Sequence, residues 1–335
     1  MNKRNPYWDN LKLILIFLVV LGHFIIPVAD SDRLTSSTLY FIYLFHMPAF
    51  VFVSGHFSKS HIYKANKEYK LIGFLALYVV STMSISLVEL IFTQKTNVLV
   101  FLKQGGAPWY MLALFFWYLL IPFASSLHPA FSLPSVFILA LFVGAYPECG
   151  DFLSLSRTIV FFPFFLIGYY FDECLLKTIK PWMRIVSALI LLSCFIFILN
   201  YPAILKNYQG IIYGAKSYKL LGLSNKIGII IRTIWYLAAI IMTSCLICLV
   251  PYNRMKLTYI GERTLGIYLI HRIFRDIFIY LGVYDYFNRY VHPLVFCIIA
   301  SIIMINISSS AYVAKALTYF FHLNYVMRNN ARSKY

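Results

Sequence analysis

Residues 5–27 read NPYWDNLKLILIFLVVLGHFIIP, an apolar segment long enough to enter a bilayer. Asp9 and Lys12 stand near its start and His23 deep inside, while every residue from Leu13 to Gly22 is apolar or glycine. At 100° per residue, Lys12 and His23 return to within about 20° of one helix face, and Asp9 to within about 40° of His23. The axial rise from Lys12 to His23 is roughly 16 Å. One line of polar groups thus runs up a helix that otherwise belongs in lipid, where ionisable residues are functional candidates. The bland reading makes Asp9 and Lys12 interfacial and His23 a hydrogen-bonded packing residue.

The rest of the 335-residue chain has the same character. Hydrophobic residues make up 61% of it and charged residues only 12%, against about 25% charged in a soluble domain. Apolar runs near bilayer length recur throughout, which predicts an all-α, polytopic integral membrane bundle forming a single domain over 1–335. The first segment is too long for a signal-peptide core and is not followed by a small-residue cleavage site, so it is expected to be retained. The net charge of +17 points to cytoplasmic loops and anionic membrane lipids, with no nucleic acid expected. Cys245 and Cys248 form C-x-x-C inside an apolar helix, where packing is the expected role.

Ten spans follow from the hydropathy: 11–28, 38–57, 71–92, 109–127, 131–147, 158–173, 185–201, 228–250, 264–282 and 292–314. With the N-terminus inside, sixteen of the 29 basic residues fall on the cytoplasmic side and nine outside, which predicts both termini cytoplasmic in a bacterial-type plasma (inner) membrane. Four of the outer positives, Lys206, Lys216, Lys219 and Lys226, share the connection 202–227 with Tyr201, Tyr208, Tyr213 and Tyr218. Lysines interleaved with tyrosines suit an anionic, hydroxyl-rich glycan, although an ordinary solvated loop has the same composition.

Further polar groups lie within the spans. His46 precedes Met47 and Pro48, a helix break of the kind tolerated where it lines a cavity, and His46 is expected to face His23. Arg157 precedes VFFPFFLIGYY, where it either snorkels outward or points into a polar cavity. Trp109, Tyr110, Trp117 and Tyr118 fit interfacial anchoring, with Trp109 and Tyr110 also candidates for substrate binding. His271, Arg272, Arg275 and Asp276 share the ninth span, where Arg272 and Asp276 are spaced to pair. The histidines sit on separate spans without ligand spacing, so no metal is expected. No nucleophile elbow or glycine-rich phosphate loop appears.

The blocks NPYWDNLKLILIFLVVLGHFIIP (5–27), FHMPAFVFVSGHF (45–57), PWYMLALFFWYLLIP (108–122), SRTIVFFPFFLIGYY (156–170) and GERTLGIYLIH (261–271) occur in this order. Together they resemble the acyltransferase family 3 integral membrane proteins, particularly the fucose 4-O-acetylase-like or polysaccharide O-acetyltransferase branch. The family's pattern of a basic residue, ten intervening residues and a histidine falls on Lys12 and His23. The resemblance implies that His23 is catalytic, with His46 and Arg157 as further catalytic candidates, and that Lys12, with Asp9 beside it, helps hold the acyl donor or tunes the site. It places His271, with Trp109 and Tyr110, at the substrate. The R-x-x-R of some relatives is absent from the second connection, which reads SKSHIYKANKEYK. No esterase-like domain is recognised, so transfer is expected to finish inside the membrane domain or pass to a separate partner.

What the resemblance implies is transfer of an acetyl group from cytoplasmic acetyl-CoA to a hydroxyl of a surface polysaccharide, such as capsule, or its lipid-linked precursor. Two alternatives share the same spans and buried charges: a transporter or flippase of a lipid-linked glycan, and an acyltransferase acting on a lipid or small molecule.

Overall fold

The structure, a computed structural model, describes residues 4–60, 67–94, 101–102, 106–150 and 152–316. Among these residues the chain forms helices and no β-strand. In order they are α1 (Pro6–Ile25), α2 (Arg33–Ser58), α3 (Lys67–Thr93), α4 (Trp109–Ser126), α5 (Pro129–Phe142), α6 (Leu155–Tyr170), α7 (Pro181–Asn200), α8 (Pro202–Tyr213), α9 (Asn225–Leu249), α10 (Thr258–Glu262), α11 (Thr264–Tyr280), α12 (Val283–Phe287) and α13 (Pro293–Ser308). Each of the ten expected spans overlaps one of α1–α7, α9, α11 and α13. Six of these helices, α1–α4, α7 and α9, are long and apolar enough to cross a membrane by length and composition, while α5, α6 and α13 are shorter apolar helices.

Local chemistry sets where the helices begin. The Asn5 side chain accepts from the Tyr7 amide with Pro6 opening α1, and Asp32 accepts from the Thr35 amide to start α2. Contacts between helix ends give an alternating path. Tyr7 at the start of α1 bonds the Ile247 carbonyl near the end of α9, and Arg263 bonds Ser309 just after α13. At the opposite end, Arg33 bonds the carbonyls of Leu199 and Asn200, and the Phe92 and Tyr280 rings stack. The start of α1 and the end of α13 therefore share one end of the bundle.

The centre of the bundle is the crossing of α2 and α6, which two glycines make possible. A Cβ on Gly55 would lie 1.9 Å from the Phe165 carbonyl oxygen, and a Cβ on Gly168 would lie 1.9 Å from that of Phe52. Such reciprocal backbone approach drives helix association where lipid offers no hydrophobic contrast. Pro48 interrupts α2 one turn above this crossing and cannot donate to the Leu44 carbonyl. Trp235 of α9 supplies the missing donor through its indole nitrogen at 3.2 Å.

Two expectations need correction. The connection 202–227 is not simply a loop: it contains α8, whose Gly210, Ile211 and Ile212 are buried. The apolar residues of α8 alternate with Lys206, Asn207 and Gln209, an amphipathic pattern that no span-length window detects. Trp109, Tyr110, Trp117 and Tyr118 are not interfacial anchors, being 8%, 3%, 0% and 3% exposed. They lie inside the bundle, where Trp117 donates to the Thr158 carbonyl.

Candidate active site

A cavity of about 210 Å³ opens at the end of the bundle away from the start of α1. Its wall takes His23 and Ile26 from the end of α1, and Tyr43, His46 and Met47 from the half of α2 before Pro48. Trp109 comes from the start of α4, and Arg157 and Phe161 from the start of α6. Ile212 and Tyr213 close one side from α8, and Arg272 enters from α11. Helix ends and a proline break thus bring polar side chains together while the surrounding backbone stays hydrogen-bonded within the helices.

The hydrogen bonds of the histidines define what each ring offers. His46 Nδ1 lies 2.8 Å from the Ile42 carbonyl and His271 Nδ1 lies 3.1 Å from that of Ile267. A carbonyl only accepts, so both rings donate from Nδ1, and in the neutral form both keep a lone pair at Nε2. His23 and His271 face each other with ring centroids 5.0 Å apart. Among the described residues, His23 Nδ1 and His271 Nε2 are buried without a hydrogen-bond partner. Buried imidazole nitrogens are normally satisfied, so these two open positions set the pair apart from packing histidines.

Around these rings the wall is cationic. Arg157 lies over the Trp109 ring, 5.6 Å from its centroid. Arg272 holds Asp276 through Nε at 2.8 Å, and Arg275 holds the same carboxylate through Nη2 at 2.5 Å. The expected pairing of Arg272 with Asp276 is present, with Arg275 as a second partner.

The expected site residues separate into three groups. His23, His46, Arg157 and Trp109 line one cavity. His271 stands one layer back, fully buried behind His23. It is His271, rather than His46, whose ring meets His23; the His46 ring packs on Tyr43, with centroids 4.6 Å apart. Tyr110 is outside the cavity wall, hydrogen-bonded to Ser54 and packed between Trp117 and Tyr268.

Lys12 and Asp9 form a separate layer, roughly 16 Å and roughly 21 Å along α1 from His23. Asp9 is 2% exposed and bridges Arg4 at 2.6 Å and Lys12 at 2.7 Å. The Lys12 ammonium also lies over the Phe57 ring, and His56 is stacked on Trp8 and bonded to Glu173 nearby. Tyr213, one of the tyrosines expected to suit a glycan, lines the cavity, whereas Tyr43 and Arg272 are not expected site residues. For Arg272 the signal was present, since an arginine inside a span is itself a functional hint.

No solved structure matches this chain. A family model described as an acyltransferase domain matches residues 5–313. Nodulation protein NolL of Sinorhizobium fredii is 29% identical over 212 residues, covering 58% of this chain and 55% of that protein. The chain therefore spans about half the length of that curated relative. Because the family model covers nearly every residue, including the five blocks and the cavity wall, the chain belongs to acyltransferase family 3.

Proposed function

We propose that this membrane protein is an O-acetyltransferase that moves an acetyl group from acetyl-CoA to a hydroxyl of a cell-surface polysaccharide or its lipid-linked precursor. The observation that carries the reading is the meeting of His23 with His271 at a cavity wall that also holds His46 and Arg157. Neutral His23, packed against the His271 ring, takes the proton of the acceptor hydroxyl at Nε2. The hydroxyl oxygen attacks the thioester carbonyl, the carbon–sulfur bond breaks, and the imidazolium returns its proton to the departing thiolate. The Arg157 guanidinium, fixed over Trp109, is suited to the oxyanion that forms between these events.

Size divides the donor. At about 210 Å³ the cavity falls below the roughly 300–1,000 Å³ of drug-sized ligand sites, so it suits an acetyl group and one sugar ring but no nucleotide. The nucleotide phosphates are assigned to the opposite end, where Arg4, Lys12 and Lys59 gather positive charge. There Asp9 acts by holding Arg4 and Lys12 in place rather than by touching the donor. That end is assigned to the cytoplasm of a bacterial-type plasma membrane, consistent with the distribution of basic loops. The chain is expected to work with membrane lipids around it, without a metal.

The test is acetyl transfer from radiolabelled acetyl-CoA in membranes of cells making wild-type or His23→Ala protein, with NMR of the surface polysaccharide. The expected result is an acetyl signal that disappears with His23→Ala while the protein stays inserted. Wild-type levels of O-acetyl in the variant would overturn the mechanism. Failure of the purified protein to consume acetyl-CoA with any glycan would favour glycan transport instead.

A further inference from the structure

We infer that the cavity takes an acceptor bearing an oxyanion, a carboxylate or a phosphate, and that Arg272 binds it. This rests on the transferase reading above and specifies the acceptor's chemical class.

The argument begins with unequal charges on α11. Two guanidinium groups, Arg272 and Arg275, share the single carboxylate of Asp276. Arg275 is buried and directs both Nε and Nη2 to that carboxylate. Arg272 uses only Nε, and among the described residues its two Nη groups make no hydrogen bond. Those Nη groups belong to the side chain that lines the cavity. An unbalanced guanidinium within a membrane helix is costly unless an anion reaches it.

Nothing acidic is available in the wall. The described lining residues include Arg157 and Arg272 but no Asp or Glu. Lys216 and Lys219, exposed on the segment that follows α8, and Lys226, exposed at the start of α9, add positive charge in the sequence that follows Ile212 and Tyr213 of the wall. A pocket whose described charged lining is cationic favours an anionic ligand. The cavity's size excludes the donor's nucleotide, so the anion belongs to the acceptor. A planar guanidinium with free Nη groups is matched to carboxylate or phosphate oxygens.

The test is equilibrium binding to the purified full-length protein in detergent, using three probes: cellobiouronic acid, a glucosyl phosphate and neutral cellobiose. At least one anionic probe is expected to bind about tenfold to hundredfold more tightly than cellobiose, the worth of a hydrogen bond to a charged group. The two anionic probes distinguish carboxylate from phosphate recognition. Arg272→Gln should abolish the preference and Arg272→Lys should restore part of it. Asp276 keeps Arg275 as a partner in both variants, so folding is expected to survive, and size-exclusion chromatography checks this.

Equal binding of all three probes, no binding of any, or a preference that survives Arg272→Gln in folded protein would overturn the inference. So would competition by CoA accompanied by an equal loss of CoA affinity in Arg272→Gln, since Arg272 would then hold the donor. Anion-selective binding without acetyl transfer to any glycan would overturn the transferase reading and leave the anion site standing. Transfer to neutral glycans with no anion preference would do the reverse.

Discussion

His23 and His271 meet across the interface of α1 and α11 with their rings 5.0 Å apart and inclined by 51°. His271 is tied to its own helix through Nδ1, and both its Nε2 and the Nδ1 of His23 are buried without a hydrogen-bond partner among the described residues. In the proposed mechanism His271 is expected to act through His23, by packing against its ring, as a positioning residue. His271→Ala is expected to lower kcat by about 10²-fold, the cost of misplacing a reacting group, with KM for acetyl-CoA unchanged. His271→Asn, which keeps a polar group, should recover part of the rate. Steady-state kinetics on detergent-purified protein checks this, and a change confined to KM would contradict it.

The sequence made the bundle legible because apolar stretches near bilayer length can satisfy their backbone in lipid only as helices. His23 and Arg157 stood out for the same reason, as polar groups where solvation is scarce. Which residues meet was less visible. His46 and His271 are equally plausible partners for His23 when only spacing is known, since span neighbours depend on packing between distant segments. The glycines that let α2 and α6 approach decide that packing, and Gly55 and Gly168 lie 113 positions apart in the numbering. The aromatic block at 109–118 was misread because buried tryptophans and interfacial tryptophans share one composition. The helix α8 was missed because its polar residues masked an apolar face only twelve residues long.

The reciprocal contact of Gly55 with Phe165 and of Gly168 with Phe52 leaves no room for a methyl group. The atoms in the way are backbone oxygens, which cannot swing aside as a side chain would. Gly55→Ala and Gly168→Ala should each destabilise the protein by about 1–3 kcal/mol or more. Thermal denaturation in detergent, followed by fluorescence-detected size exclusion, should show a lower Tm for both. An unchanged Tm would mean that this crossing is looser than described.

The bond from Trp235 to the Leu44 carbonyl exists because Pro48 vacates that acceptor. Trp235→Phe keeps most of the ring volume and should cost about 1–2 kcal/mol by leaving a buried carbonyl unsatisfied. In a Pro48→Ala background the helix amide can reoccupy Leu44, so the same substitution should cost less. A double-mutant cycle measured by thermal stability tests the coupling. Additive effects would show that proline and tryptophan act independently.

Asp32 lies outside the spans and starts α2. Burial works against its charge, but the hydroxyl and amide of Thr35, with His292 nearby, outweigh it and hold the carboxyl below its ordinary range. A depressed carboxyl contributes stability above its unfolded pKa and loses it as pH falls through the folded value. Asp32→Ala should therefore cost about 1 kcal/mol near neutral pH, the worth of a helix cap. The difference from wild type should shrink once the pH falls below about 4, the ordinary carboxyl value. Chemical denaturation across that range reads the effect, and a pH-independent difference would show that the ionised cap contributes nothing.

Tyr218 is the pin that holds α8 beside the cavity. Its amide bonds the Gly144 carbonyl, its hydroxyl bonds that of Leu141, and its fully buried ring sits between Gly144 and Gly228. The Arg232 guanidinium closes the slot, 4.6 Å from the ring centroid, and donates to the Ala140 carbonyl. A Cβ on Gly228 would stand 2.3 Å from the Tyr218 ring, so Gly228→Ala should expel it. Because Ile212 and Tyr213 of the cavity wall lie only a few residues before Tyr218, expulsion should loosen the acceptor side of the site. Gly228→Ala and Tyr218→Ala are expected to raise KM for the glycan several-fold while leaving KM for acetyl-CoA, whose nucleotide the proposed function assigns to the other end, unchanged. Arg232→Met tests the slot from the opposite wall. It removes a buried charge whose Nε and Nη2 have no hydrogen-bond partner among the described residues. Replacing such a charge with an apolar side chain of similar length is often neutral or stabilising, so Tm should hold or rise while KM for the glycan still increases. Equal shifts in the two KM values would assign Tyr218 a general structural role and separate α8 from acceptor binding.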